Sequence, residues 1–301
     1  MKNVIVAGAN GFLGKNLVKS LLERGYQVTA LGMSFDEDLL HTCQCICMKG
    51  KSVQAIAPQL KENYVCFYDL AWAGTSGELR ADYNVQIDNI RLTCDYVKLS
   101  AKIHCNRFIY ASSINEMETY EYLQSDNVEP SGGYIYGTGK LAAHLMGETV
   151  AYQNQVAFIP LIITNIYGKG EKSARLICSS IKKLLKGEHC SFTAGYQTYD
   201  FIYIADAINA IVAVGEKGKA FNRYYIGSGK PKALREFLLQ MRDVVAPETK
   251  IGLGDLPFKG ANVDYRQFDM QKVEKDAGYV PEVSFEEGIR ATAQWIRDNK
   301  K

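Results

Sequence analysis

The sequence has no C-x-x-C pair and no cysteine–histidine grouping at zinc-ligand spacing, although eight cysteines are spread through its 301 residues. That removes the common signatures of zinc and thiol–disulfide centres, and no metal is expected. Cys43, Cys45 and Cys47 alternate, which would place three thiols on one face of a strand. The plainer reading is reduced cysteines serving as small core or surface residues. An excess of either charge is also lacking. Lysine and arginine total 35 against 33 acidic residues, a net charge of +2, and the lysines are scattered, so a nucleic-acid partner is not expected. No apolar run reaches membrane-spanning length, and the single lysine before the first apolar stretch does not read as a signal peptide. The expected location is cytoplasmic, with no membrane partner. Internal repeats and low-complexity segments are missing too. His41, His104 and His189 have no partner pattern, and His144 reads as a surface helix position.

What is present is an ordinary globular composition, 47% hydrophobic and 23% charged, long enough for one large domain or two joined ones. The most informative stretch runs from Val4 to Gly14. Val4, Ile5, Val6 and Ala7 read as a buried parallel strand. Gly8, Gly11 and Gly14 follow at three-residue spacing and lead into an amphipathic pattern of Leu13, Leu17, Val18, Leu21 and Leu22. A strand that ends in glycines and opens a helix aims bare N–H groups and the positive end of the helix dipole at one point, which suits a pyrophosphate. The glycines provide a tight turn, close backbone approach and close helix–strand packing. The spacing is G-x-x-G-x-x-G rather than the usual G-x-G-x-x-G. Asn10, Phe12 and Leu13 between the glycines belong to the same expected dinucleotide contact.

Gln27 to Leu31 reads as a second strand. The position after it, where an acidic residue often holds the adenine ribose, is Gly32. This leans the cofactor reading towards NADP(H), with NAD(H) retained; Asp36 could still reach back to the ribose. Tyr64 to Leu70 is a third strand, ending at Leu70-Ala71-Trp72, and a helix follows over Tyr83 to Ala101. Arg107 to Ala111 is a further strand that runs into Ser112-Ser113. Alternating strands and helices imply an α/β fold with a doubly wound parallel sheet of the Rossmann kind. Gly8, Gly32, Ala71 and Ser113 all sit at carboxyl ends of strands and should line one crevice. Further helices are expected over Ser173–Lys186, Ala205–Val214, Leu234–Val245 and Phe285–Arg297. Ile251–Phe268 reads as a loop able to wall a substrate site.

The helix Tyr134–Tyr152 carries Tyr136 and Lys140, four residues apart and so on one face. A phenol with a free pKa of ~10 needs help to exchange protons near neutrality. A neighbouring ammonium favours the phenolate and makes the pair a general acid or base. The preceding Ser-Ser would supply a hydroxyl for the substrate oxygen.

These motifs, in this order, resemble the extended short-chain dehydrogenase/reductases that act on nucleotide sugars. Asn89-Ile90, Asn165-Ile166-Tyr167-Gly168 and Tyr199-Asp200-Phe201-Ile202-Tyr203-Ile204-x-Asp206 extend the match over nearly the whole chain. The resemblance implies an enzyme with Ser113, Tyr136 and Lys140 as its catalytic triad. It also implies cofactor contacts at Leu70, Ala71 and Asn89, besides those of the glycine loop and the triad. A nucleoside-diphosphate sugar is the implied substrate, with contacts at Trp72, Ser113 and Asn165. Residues 1–165 would form the dinucleotide domain, with a return segment near 199–228. Residues 166–301 would form a smaller C-terminal substrate-binding domain. A homodimer through the helices Tyr83–Ala101 and Tyr134–Tyr152 is implied as well. Where many relatives carry diphosphate-gripping arginines, this chain has Tyr199 and Lys259; Arg175, Lys172 or Arg266 are the candidates to compensate.

Within that family the residues after the catalytic serine discriminate reactions. Ile114 and Asn115 stand where dehydratases place Asp-Glu, with Glu116 one place late, and Ile114 stands where 3,5-epimerases place cysteine. Reduction of a 4-keto (deoxy)sugar nucleotide is therefore expected, as in reductases that complete deoxysugars for cell-surface glycans. The alternatives are 4-epimerisation through a transient ketone, and a non-catalytic dinucleotide sensor or scaffold.

Overall fold

The structure is a computed structural model that describes residues 2–126 and 128–299. Its first six strands are β1 (Asn3–Ala7), β2 (Gln27–Gly32), β3 (Gln44–Cys47), β4 (Cys66–Asp69), β5 (Arg107–Ala111) and β6 (Ala157–Ile163). With Tyr224–Ile226 they form one seven-stranded sheet, in the order Tyr224–Ile226, β6, β5, β4, β1, β2, β3. Every neighbouring pair is parallel, so each connection must cross a face of the sheet and both faces are covered.

The crossing elements are α1 (Phe12–Glu23), α2 (Glu37–Thr42), α3 (Val53–Ile56), α4 (Tyr83–Lys102), α5 (Asn115–Leu123) and α6 (Gly132–Gln153). Later in the chain come α7 (Leu176–Leu184), α8 (Ile204–Lys217), α9 (Leu234–Val245), α10 (Lys272–Ala277) and α11 (Phe285–Asp298). Alternation along β1 divides the core. Val4 and Val6 pack with Leu17, Leu21 and Ile211 of α1 and α8. Ile5 and Ala7 pack with Val97 of α4 and Ala143 of α6 on the opposite face. The doubly wound sheet expected from the sequence is the fold observed.

Several boundaries differ. The expected strand Tyr64–Leu70 is β4, the fourth in the chain, because β3 intervenes. Only Cys45 and Cys47 lie on β3; Cys43 is the residue that ends α2. All eight cysteines are free. Helix α7 starts at Leu176 rather than 173, since Arg175 is extended (φ −66°, ψ 153°). Helix α5 was not anticipated at all. His144 is buried rather than on the surface: α6 lies against α5 and β6, so the position one turn beyond Lys140 faces Glu116 and Phe158.

Short strand pairs position the C-terminal half. Asn165–Tyr167 pairs in parallel with Phe201–Tyr203, and Thr198–Tyr199 pairs with Lys232–Ala233. Tyr199 is thereby brought beside the carboxyl ends of the sheet strands. Among the described residues no helix is long and apolar enough to cross a membrane.

Candidate active site

The glycine loop closes onto the turn after β4. Gly8 has φ +77°, and a Cβ there would lie 2.7 Å from the Leu70 carbonyl carbon and 2.8 Å from the Ala71 nitrogen. A Cβ on Gly14 would lie 2.1 Å from the Gly8 carbonyl oxygen, so helix and strand pack backbone to backbone. Gly11 differs. It is exposed at the N-cap of α1, and the nearest atom to a Cβ there would be the Gly8 oxygen at 3.3 Å. The first turn of α1 carries no acidic residue, so nothing opposes an anion at that end.

A crevice of about 320 Å³ opens here, with Gly11, Phe12 and Leu13 on one side and Ser113, Tyr136 and Lys140 on the other. Asn10 Oδ1 is buried at the loop without a partner. A bare helix N-terminus, an unfilled backbone cradle and an orphaned acceptor fit the pyrophosphate and hydroxyls of a dinucleotide. Asn89 does not line the crevice. Its amide brackets the main chain of Ala73, accepting from the nitrogen at 3.0 Å and donating to the oxygen at 2.9 Å. It fixes the loop after β4 instead. Asp36 is also committed elsewhere: it caps α2 through Leu39 N and pairs with Lys15 at 2.5 Å, which holds its carboxyl below the ordinary value.

Lys140 is buried, donates to the Ala111 carbonyl at 2.7 Å and lies 3.7 Å over the Trp72 ring. Burial pulls its pKa down, while Asp69 and Glu116 oppose that pull. Asp69, wholly buried at the end of β4, is pushed up by burial and held back by Lys140, Thr93 and the Ala71 N–H. Sequence reasoning missed this carboxylate, which reads as one more polar residue at a strand end.

Tyr136 is 6% exposed. Burial pushes its phenol up, and the largest opposing influence is Arg80, followed by Ser113 and Arg175. The Arg80 guanidinium stacks 4.0 Å from the Tyr136 ring centre and is anchored to the Thr75 carbonyl at 3.0 Å. Lys140 shares the helix face with Tyr136, but its ammonium turns to β5. The cation at the phenol is Arg80, which the sequence did not signal.

The two serines have different partners. Ser112 donates to Glu116 Oε2 at 2.7 Å, and Glu116 also meets His144 Nδ1 at 3.1 Å. Glu116 is thus enclosed behind the site. Ser113 faces the cavity, donates to Asn115 Oδ1 at 3.1 Å and accepts from Asn115 N at 3.2 Å. Asn115 Nδ2 donates to Glu118, a second carboxylate that sequence reasoning missed. Ile114 is buried against Ile162 and Tyr225.

Beyond Ser113 and Tyr136 lies a second cavity of about 500 Å³, lined by Arg80, Glu118, Asn165, Arg175 and Tyr199 among others. Asn165 Nδ2 donates to the Asp200 carbonyl at 3.2 Å, and burial pushes the Tyr199 phenol up to about 12. Trp72, Ser113, Asn165, Arg175 and Tyr199 are therefore gathered around the two cavities. Lys259 and Arg266 are not. Lys259 pairs with Glu129 at 2.9 Å. Arg266, its side chain 92% exposed, pairs with Asp264.

A model of the NAD dependent epimerase/dehydratase family matches residues 4–227. The CDP-abequose synthase of Salmonella typhimurium is 23% identical over 81% of this chain and 81% of its own length. The UDP-N-acetyl-alpha-D-glucosaminuronate decarboxylase of Bacillus cytotoxicus is 25% identical over 99% of this chain and 98% of its own. The solved UDP-glucose 4-epimerase of Thermotoga maritima, with UDP-glucose, shares the fold with a TM-score of 0.81 at 20% identity, over 99% of this chain and 100% of that one. The family match runs from the first strand, through the glycine cradle and the Ser113–Tyr136–Lys140 group, to the last strand of the sheet: the chain belongs to the NAD(P)-dependent epimerase/dehydratase family.

Proposed function

We propose that this chain reduces a 4-keto (deoxy)sugar nucleotide with NADPH or NADH. The observation that carries the reading is the convergence of Ser113, Tyr136 and Lys140 on the crevice, with Ser113 and Tyr136 also lining the second cavity. The nicotinamide supplies the hydride when bound. Tyr136 donates the proton to the ketone oxygen, and the Ser113 hydroxyl orients that oxygen. Lys140, its pKa pulled down by burial to about 7, lies beneath the crevice against the Trp72 ring. Ile114, apolar and enclosed, cannot move a proton at the position where related dehydratases carry an acid. Gly32 at the end of β2 leaves the ribose 2′ position free of a carboxylate.

In this reading residues 1–165 hold the dinucleotide. Residues 166–301 contribute Arg175, a cation that would meet the diphosphate, and Tyr199 to the sugar-nucleotide side. A second copy of the chain on the α4–α6 face, where Ile87, Leu145 and Met146 are exposed, is the partner carried with it. A sedimenting mass of one chain would remove that partner.

A second reading is 4-epimerisation, supported by the likeness in fold to 4-epimerases. The sensor or scaffold reading is disfavoured by the intact catalytic group. The deciding experiment offers UDP-, CDP- and dTDP-4-keto-6-deoxyglucose with NADPH. One NADPH oxidised per ketone consumed is the expected result. Interconversion of C4-epimeric sugar nucleotides without added cofactor would replace this reading with the epimerase.

A further inference from the structure

Proton transfer to the ketone oxygen uses Tyr136, yet it leaves a carboxylate in the same cavity without a task. Glu118 lines the 500 Å³ cavity and an adjoining one of about 120 Å³ beside Tyr134, Tyr199 and Tyr265. Asn115 and Glu118, three apart on α5, share the face that looks onto Ser113. Asn115 links them, accepting from Ser113 and donating to Glu118. Among the described residues Glu118 has no ion-pair partner within 4.0 Å, whereas Glu116 two positions earlier is spent on Ser112 and His144.

We propose that Glu118 is a second proton-transfer group of this site, acting on the carbon next to the C4 ketone of a nucleotide sugar. The proposal rests on the reading of the substrate as a 4-keto sugar nucleotide. In the step, the Glu118 carboxylate takes the proton from C3 or C5. The C–H electron pair becomes the new C=C bond, and the carbonyl π pair moves to the C4 oxygen, held as an enolate by Ser113 and Tyr136. Return of a proton from the Glu118 carboxyl to the carbon reverses the step, with no oxidant and no net loss of atoms. The chain then has an acid–base activity at carbon in addition to reduction at C4.

Three features favour this over a purely structural carboxylate. Glu118 lines the two cavities together with Tyr134, Tyr136, Tyr199 and Tyr265, which come from three separate parts of the chain. Burial raises its pKa, with Asn115 and Arg80 opposing, towards the range in which a carboxyl group both gives and takes protons. Arg80, half-buried and stacked on Tyr136, would steady an enolate as it forms. A carboxylate that only offset the N-terminal end of the α5 dipole would need none of these neighbours.

The test incubates the protein in D2O with UDP-, CDP- or dTDP-4-keto-6-deoxyglucose. Deuterium entering carbon is read by mass spectrometry above the enzyme-free rate, and NADPH oxidation is read in parallel. Wild-type protein should wash deuterium into the position beside the ketone. Glu118→Gln should lower the ratio of exchange to reduction by about 10²-fold, the scale of a positioned acid or base. Glu118→Asp, which keeps a carboxyl group, should hold exchange above the Gln level. NADPH oxidation without exchange would overturn this role while leaving the reductase reading intact. An unchanged ratio, or equal exchange in the two variants, would overturn it as well.

Discussion

Tyr136 owes its environment to two opposite influences: burial, which holds its proton on, and the Arg80 guanidinium 4.0 Å from its ring, which favours the phenolate. Because burial is the larger, the phenol stays protonated through neutrality, ready to donate. Ketone reduction should then not be limited by loss of the phenol proton up to about pH 9, whereas oxidation of a 4-hydroxyl, which needs the phenolate, should climb with pH. Arg80→Leu removes the main influence lowering the phenol, so oxidation at a given pH should fall. Reduction should change less. Paired pH–rate profiles in the two directions check this, and superposed profiles for the variant and the wild type would rule Arg80 out. Ser113, Tyr136 and Lys140 were legible because their order and spacing carry chemistry. Arg80 was not, since it sits in a one-turn 3-10 segment, Glu78–Ala81, with no periodicity. Its meeting with Tyr136 exists only after α6 packs against that segment.

Helix α5 shows why elements can hide. It starts directly after the serine pair with no capping side chain, and its buried residues are Glu116 and Thr119. With no apolar stripe there is no helical signal to read; Glu116 reads only as an acid one place late after the serine, and Glu118 is not read at all. By contrast β5 and α9 were readable to the residue because their apolar patterns are strong. The glycines of Tyr136-Gly137-Thr138-Gly139-Lys140 also gain a meaning from packing. A Cβ on Gly137 would lie 2.1 Å from Thr119 Oγ1 and 2.4 Å from the Asn115 carbonyl oxygen. Gly137→Ala should therefore push α5 away from α6 at a cost of about 1–3 kcal/mol. The chain should still fold, as judged by circular dichroism, while turnover falls at least tenfold, because Ser113, Asn115 and Glu118 move with α5. Wild-type turnover in that variant would show that the α5–α6 approach does not set the site.

At the scale of the whole molecule, the doubly wound parallel sheet was recoverable because strand-to-helix alternation forces crossovers, and the crevice lies where such sheets bind ligands. The placement of the C-terminal half was harder to read. Its strands are two or three residues long, and they gain their positions by pairing with distant segments. Lys259 and Arg266 illustrate the gap, because basic side chains near the expected substrate wall were satisfied by Glu129 and Asp264 instead. Arg175 is the basic residue of that group that the fold delivers to the cavity. The central claim is that a hydride passes from the dinucleotide in the glycine crevice to C4 of the sugar while Tyr136 delivers the proton. The most direct measurement supplies NADPH deuterated at the transferred position with a 4-keto-6-deoxyglucose nucleotide. Mass spectrometry then locates the label in the product. The account predicts one deuterium at C4 in the wild-type product, and formation of that product slowed by about 10²–10⁴-fold in Tyr136→Phe. A product without the label, or undiminished label transfer in Tyr136→Phe, would contradict it.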